Sequence, residues 1–337
     1  MDSFFVDEKR KRKRLRRAIA VPIGIVLAVA LFSQVSPLPV SLLLKIAFSN
    51  GNAVEPDDYE AIRERVTTVK NLTYPSKFES NTADIYIPKN GEGPFPVVLW
   101  VHGGAYVGGD KKDVEGYATA LASQGIAVVC MNYVLAPSAK YPTPVIQTGE
   151  AYTWLCGVAA QNSLDMTRLV LAGDSAGAQI AAQFAAVQSN ADYANEMGME
   201  RIVPPETIKA ALLYCGPFDS EKINAVENKV MAYFLERAAW AYFGEKNWQH
   251  FAKQASVAGY VTKLFPPAFI TDGNKASFED HARDFADVLE KTGVPVETYF
   301  IDPAVEATHH EYQFVMNTPA GREAFRRTLD FLEEYVK

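Results

Sequence analysis

Ser175 sits at the centre of Gly173-Asp174-Ser175-Ala176-Gly177. The apolar run Leu169-Val170-Leu171-Ala172 comes immediately before it, and an alanine-rich helical pattern from Ala178 to Val187 follows. This context predicts strand, sharp turn and helix. The apex of so tight a turn is strained and needs small neighbours, which the two glycines supply. A serine at that apex lifts its hydroxyl above the sheet edge, where a base can make it a nucleophile. The Ala176 amide then falls at a helix N-terminus and can donate to a developing oxyanion. A plain glycine-rich turn would share the spacing, so the reading leans on what lies upstream.

Upstream, Pro96-Val97-Val98-Leu99-Trp100-Val101 reads as a buried strand ending in His102-Gly103-Gly104-Ala105. Glycines there let the backbone turn N–H groups toward a ligand, so Gly103 and Gly104 join Ala176 as candidate oxyanion donors. His102 precedes the donors and reads as a loop-shaping residue. Between the two motifs lie a helix (Val114 to Gln124), a strand (Ile126 to Asn132) and a helix around Val145 to Ala159. That alternation builds a parallel sheet through right-handed crossovers.

His-Gly-Gly-Ala, then Tyr133-Val134-Leu135-Ala136-Pro137, then Gly-Asp-Ser-Ala-Gly resembles the hormone-sensitive-lipase-like branch of the α/β-hydrolase superfamily. The resemblance covers residues 65–337 and departs from the pattern at Val134 (arginine in the family) and Ala105 (a third glycine). It implies a mostly parallel central sheet with helices on both faces and a helical cap. It also implies a histidine after the last strand, commonly in H-G-F. Thr308-His309-His310-Glu311-Tyr312 follows the apolar run Val296 to Ile301. His310 is favoured because His310-Glu311-Tyr312 imitates H-G-F, with His309 as the alternative. His250 and His281 lie in charged helical surroundings and read as surface residues.

The acid is less legible. The family places it after strand seven, and Pro266 to Thr271 supplies that strand, yet Ala276 falls in the acid's slot. Asp272, just past the strand and beside Gly273, is favoured to orient the histidine and stabilise its cation. Asp219 after strand six is an alternative. Glu279 and Asp280 read as first-turn charges of the next helix.

The chain has 337 residues and a net charge of −7, with a basic leading tail followed by an acidic body. Its acidic body argues against a nucleic-acid partner. After the tail (1–17), the uncharged stretch 18–40 predicts a single transmembrane helix, with the N-terminus cytoplasmic and the catalytic domain extracytoplasmic. A cleaved signal peptide and a surface-lying helix are the other readings of this stretch. Residues 41–64 read as linker and cap segment. Residues 221–264, rich in aromatics such as Phe234, Trp240, Tyr242 and Phe243, read as a helical cap insert within the catalytic domain. Cys130, Cys156 and Cys215 show neither a disulfide framework nor metal-ligand spacing.

These residues together predict a serine hydrolase working through an acyl-enzyme, with no cofactor or metal, and the resemblance implies carboxylic esters of short to medium acyl chains as its substrates. A fold retained for binding, an acyltransferase and a peptidase are the competing functions.

Overall fold

The computed structural model describes residues 17–336 except 19, 23, 27, 50, 52, 205 and 227. The basic tail, apart from Arg17, lies outside the described residues. Eight strands form one sheet: β1 (Val66–Thr73), β2 (Thr82–Pro88), β3 (Phe95–Val101), β4 (Ala127–Met131), β5 (Leu164–Asp174), β6 (Ile208–Tyr214), β7 (Ala268–Asp272) and β8 (Val296–Phe300). Their spatial order is β1-β2-β4-β3-β5-β6-β7-β8. β2 pairs antiparallel with β1 and with β4, and every other pairing is parallel.

β3 and β4 are buried at every residue. Such continuous apolar runs suit a sheet covered by helices on both faces. Alternation along β3 divides the core in two. Val97, Leu99 and Val101 face one cluster, while Val98 and Trp100 face the other. On the first face lies the helix Ala176–Ser189, buried along its whole length. Its small alanines let it approach the sheet closely. The second face is covered by Glu115–Ala122 and by the C-terminal helix Pro319–Tyr335, which contributes Phe331 and Leu332.

The C-terminal ends of β3, β5, β7 and β8 lie along one edge of the sheet. Loops leaving this edge are where parallel sheets place their ligands. Between β6 and β7 the aromatic-rich stretch forms the helices Lys229–Phe243 and Gln249–Ala255. Tyr242 of the first stacks on Tyr106 of the His-Gly-Gly-Ala loop at a ring-centroid distance of 3.9 Å. From the other side, Lys45 and Phe48, at the end of the helix Leu38–Ala47, pack over Gly108 of the same loop.

The N-terminal expectation requires correction. Among the described residues no helix is long and apolar enough to cross a membrane. The uncharged stretch is not one helix. The described residues of 17–32 are helical, a turn follows at 33–35, and a separate helix starts at Leu38. That turn is held on the helix Lys229–Phe243: Arg237 Nε donates to the Ser33 carbonyl at 3.0 Å, and the Ser33 and Tyr233 hydroxyls meet at 2.5 Å. The predicted transmembrane anchor over 18–40, and the membrane topology built on it, are therefore overturned.

Candidate active site

β5 runs straight into the turn, and Ser175 adopts φ 50° and ψ −121°. This left-handed conformation is costly for a side-chain-bearing residue, of order 1–3 kcal/mol. Packing enforces it. A Cβ on Gly173 would lie 2.4 Å from the Gly177 carbonyl oxygen, and one on Gly177 would lie 2.0 Å from that of Val101. Both glycines are thus sterically required. Asp174 ties the turn to β3 and its loop, accepting from Trp100 Nε1 and from the Gly103 N–H, each at 2.7 Å.

His310 Nε2 lies 2.9 Å from Ser175 Oγ. The imidazole is reached from the loop after β8, and Phe278 meets it edge-on at 5.7 Å. Burial holds its pKa below the ordinary histidine value, with Asp272 partly opposing that shift. His309, the neighbouring alternative, is exposed. Its carbonyl accepts from the Tyr312 N–H, and His309 bridges to Lys275. Of the other histidines, His250 is exposed as expected. His281 is buried, packed against Phe278 and near the Asp219 amide, contrary to the surface reading. His102 is buried against Tyr133, stacked at 4.5 Å, and burial pushes its pKa down to about 4. A neutral, buried, stacked imidazole fits the loop-shaping reading.

Asp272 closes β7 and is fully buried. Its Oδ1 accepts from the Gly273 N–H at 2.7 Å and from the Ser277 hydroxyl. The Ser277 oxygen in turn lies 2.6 Å from His310 Nδ1. A serine therefore stands between the carboxylate and the imidazole. Burial raises the Asp272 pKa to about 6, a shift that the nearby His310 opposes. The alternative acids are engaged elsewhere. Asp219 pairs with Lys222 at 3.0 Å and accepts from Ser256, while Glu279 pairs with Arg283 at 2.5 Å. Asp280 sits in the first helical turn, as expected.

Of the candidate oxyanion donors, the N–H groups of Gly104 and Ala176 meet no protein acceptor among the described residues. The Gly103 N–H is committed to Asp174. Gly104, at φ 113°, is needed as glycine, because a Cβ there would lie 2.2 Å from the Gly108 oxygen.

The BD-FAE family model matches residues 83–282. The chain belongs to the BD-FAE family. It is similar to Esterase LipI of Mycobacterium tuberculosis, with 29% identity over 69% of this chain and 71% of that protein. Carboxylesterase NlhH of the same organism is also 29% identical, over 74% of this chain and 76% of its own length. In fold it resembles an inhibited esterase B from Lactobacillus rhamnosis, at a TM-score of 0.72 and 21% identity, covering 91% of this chain and 96% of that one. This BD-FAE chain is thus an α/β-hydrolase of the hormone-sensitive-lipase-like esterase branch, and a carboxylesterase-like serine hydrolase.

Two departures from the wider branch fall where the resemblance expects glycine. Ala105 takes φ 50° and Glu311 takes φ 60°. The Glu311 carboxyl reaches to 3.7 Å from His310 Nε2 and lies against Gly103 and Asp174. Burial raises its pKa to about 7. Burial, and the charge on Glu311, raise that of Asp174 as well. Two carboxyls in contact, Asp174 buried and Glu311 half-buried, cannot both ionise cheaply, and both are pushed upward. Sequence reading passed over Glu311, although its signal was the acid standing in the glycine position of H-G-F. Ser277 was also passed over, although it adjoins Ala276 in the acid's slot.

Ligand atoms of Cys215, Asp272 and His310 lie within 4.8 Å of one another. Burial holds the Cys215 thiol protonated, and the Nε2 of His310 already faces Ser175. This chemistry suits proton handling better than metal ligation.

Proposed function

We propose that Ser175 is the nucleophile that opens esters of short to medium acyl chains, with His310 as its base. The 2.9 Å approach of His310 Nε2 to Ser175 Oγ, at the apex of a strained strand-to-helix turn, carries this reading. As Oγ attacks the ester carbonyl, His310 takes its proton and hands it to the leaving alkoxide. The tetrahedral oxyanion is met by the Gly104 and Ala176 N–H groups. Gly103 joins them only if its bond to Asp174 opens. Asp272 supplies the negative charge behind the imidazolium. Water then repeats the sequence on the acyl-enzyme. Similarity to Esterase LipI and Carboxylesterase NlhH supports the same class of substrate.

Acyl selection falls to the inserted helices Lys229–Phe243 and Gln249–Ala255, the first of which is fixed on the His-Gly-Gly-Ala loop by the Tyr242–Tyr106 stack. Apolar walls with few polar groups suit short aliphatic chains. The test is hydrolysis of p-nitrophenyl esters from acetate to palmitate by the purified chain. The expected result is kcat/KM highest at short to medium chains and loss of turnover in Ser175→Ala. Equal rates for wild type and Ser175→Ala contradict the assignment.

A further inference from the structure

We infer that Ser277 is a positioning residue of the ester-cleaving site, transmitting the charge of Asp272 to His310 through its hydroxyl. The inference rests on the reading of Ser175 and His310 just given. Its basis is a hydrogen-bond chain with only one consistent arrangement of protons. An ionised Asp272 can only accept, so the Ser277 hydroxyl donates its single proton to Oδ1. The Ser277 oxygen is then an acceptor, and the group 2.6 Å away, His310 Nδ1, must carry the proton. With Nδ1 protonated, Nε2 is bare and accepts from Ser175 at 2.9 Å. The serine thus selects the tautomer that general-base catalysis needs. When Nε2 takes the Ser175 proton, the imidazolium is stabilised along the same chain. No proton has to leave Nδ1 or Ser277.

The surrounding loops are built to hold this bridge. Ala276 takes φ 52°, which turns the chain sharply just before Ser277. The segment from 272 to 277 is fastened to the histidine loop. Asn274 Nδ2 donates to the Ile301 carbonyl at 2.9 Å and to that of Glu306 at 2.8 Å. Its Oδ1 accepts from the Thr308 N–H at 3.0 Å. The Lys275 N–H adds a bond to the Thr308 carbonyl at 2.9 Å. Movement of the serine relative to the imidazole would have to break this set. The helix Glu279–Thr292 begins directly afterwards and anchors the other end. A carboxylate one residue earlier would have been the ordinary device. Here Ala276 is in that slot, and the acid has retreated to the strand end with a hydroxyl spanning the gap.

The experiment uses the full chain and p-nitrophenyl butyrate, with kcat, KM and the pH profile measured per active site titrated by a fluorophosphonate. Ser277→Ala is expected to lower kcat roughly 10–100-fold with KM little changed. Its acid limb should move to lower pH, because the imidazolium loses its stabilising acceptor. Ser277→Thr keeps a hydroxyl and is expected to retain the wild-type limb. Adding Ser277→Ala to Asp272→Asn should cost little more than Asp272→Asn alone, since both act through one path. The double variant Asp272→Asn/Ser277→Asp places a carboxylate directly against Nδ1 and is expected to recover activity over Asp272→Asn. Unchanged kcat and acid limb in Ser277→Ala, or full additivity with Asp272→Asn, overturns the proposal and makes Asp272 act directly. Failure of the underlying reading shows separately, as wild-type turnover in Ser175→Ala.

Discussion

The nucleophile side of this site and its acid side are built on opposite principles. At Ser175, local sequence and tertiary packing agree. Two glycines face carbonyl oxygens that no side chain could tolerate, and the strand and helix on either side dictate the turn. At Asp272, the geometry comes from a loop with an alanine in a left-handed conformation, a serine between acid and base, and a lattice of bonds to a distant segment. The first device can be recognised from five residues. The second exists only when two loops some thirty residues apart meet. A short motif persists where sterics leave no substitute, whereas a charge can be delivered by several routes.

The largest expected effect lies on the nucleophile side. Ser175→Ala and His310→Ala should each lower kcat by on the order of 10⁶-fold, and the double variant by little more, because the two residues act as a unit. His309→Ala should leave kcat within a few-fold of wild type. Steady-state kinetics on the three variants would break the comparison if His309 and His310 behaved alike.

Next is the acid. Asp272→Asn should cost about 10³–10⁴-fold in kcat. The amide could donate to Ser277, turn its hydroxyl toward Nδ1 and leave the wrong tautomer at Nε2. Asp219→Asn should leave kcat nearly unaffected, since its carboxylate serves Lys222, Ser256 and the start of a short helical turn. The reverse order of effects would relocate the acid to the strand-six loop.

A smaller effect concerns pH. Glu311 has an ordinary value of 4.5 that burial lifts to about 7, with Asp174, His310, Asp113 and Asp272 as its ionisable neighbours. The folded state therefore holds this proton more tightly than the unfolded chain. Its stabilising contribution is full below about pH 4.5 and is lost as pH rises through about 7. Glu311→Gln removes the titration. Thermal unfolding of both forms from pH 5 to 8 should show the variant gaining on wild type as pH rises. A constant gap would mean that the carboxyl does not titrate in that window.

The smallest effect sharpens the picture of the acid loop. Ala276 is exposed and left-handed, so Ala276→Gly removes strain without opening a cavity. It should raise stability by no more than about 1 kcal/mol with activity retained. A large loss of kcat at unchanged stability would show that the alanine methyl group itself helps to hold Ser277.

Much of the fold was legible in the residues. Apolar runs such as Val97 to Val101 and Leu169 to Ala172 marked buried parallel strands, and the glycine motifs at their ends marked the site edge. The choice of His310 over His309 rested on an aromatic two residues on, and the structure has His310 rather than His309 beside Ser175. The N-terminal stretch misled because hydropathy does not register a turn. Residues 33–36 carry no charge, yet the Ser33 carbonyl and hydroxyl bind Arg237 and Tyr233 two hundred positions away. Tertiary hydrogen bonds broke what composition presented as one span. Ser277 and Glu311 went unread for a related reason. Each gains chemical meaning only from what a second loop brings against it. Gly103 shows the same limit, because only the fold reveals that its N–H is spent on Asp174.

One reactive hydroxyl, that of Ser175, carries the chemistry of the site. Fluorophosphonate labelling of the purified chain, followed by mass spectrometry of its peptides, reads it without assuming a substrate. The predicted result is a single adduct on Ser175, formed at the wild-type rate in His309→Ala and drastically slowed in His310→Ala. An adduct on another residue, or undiminished labelling of Ser175 in His310→Ala, would contradict the account.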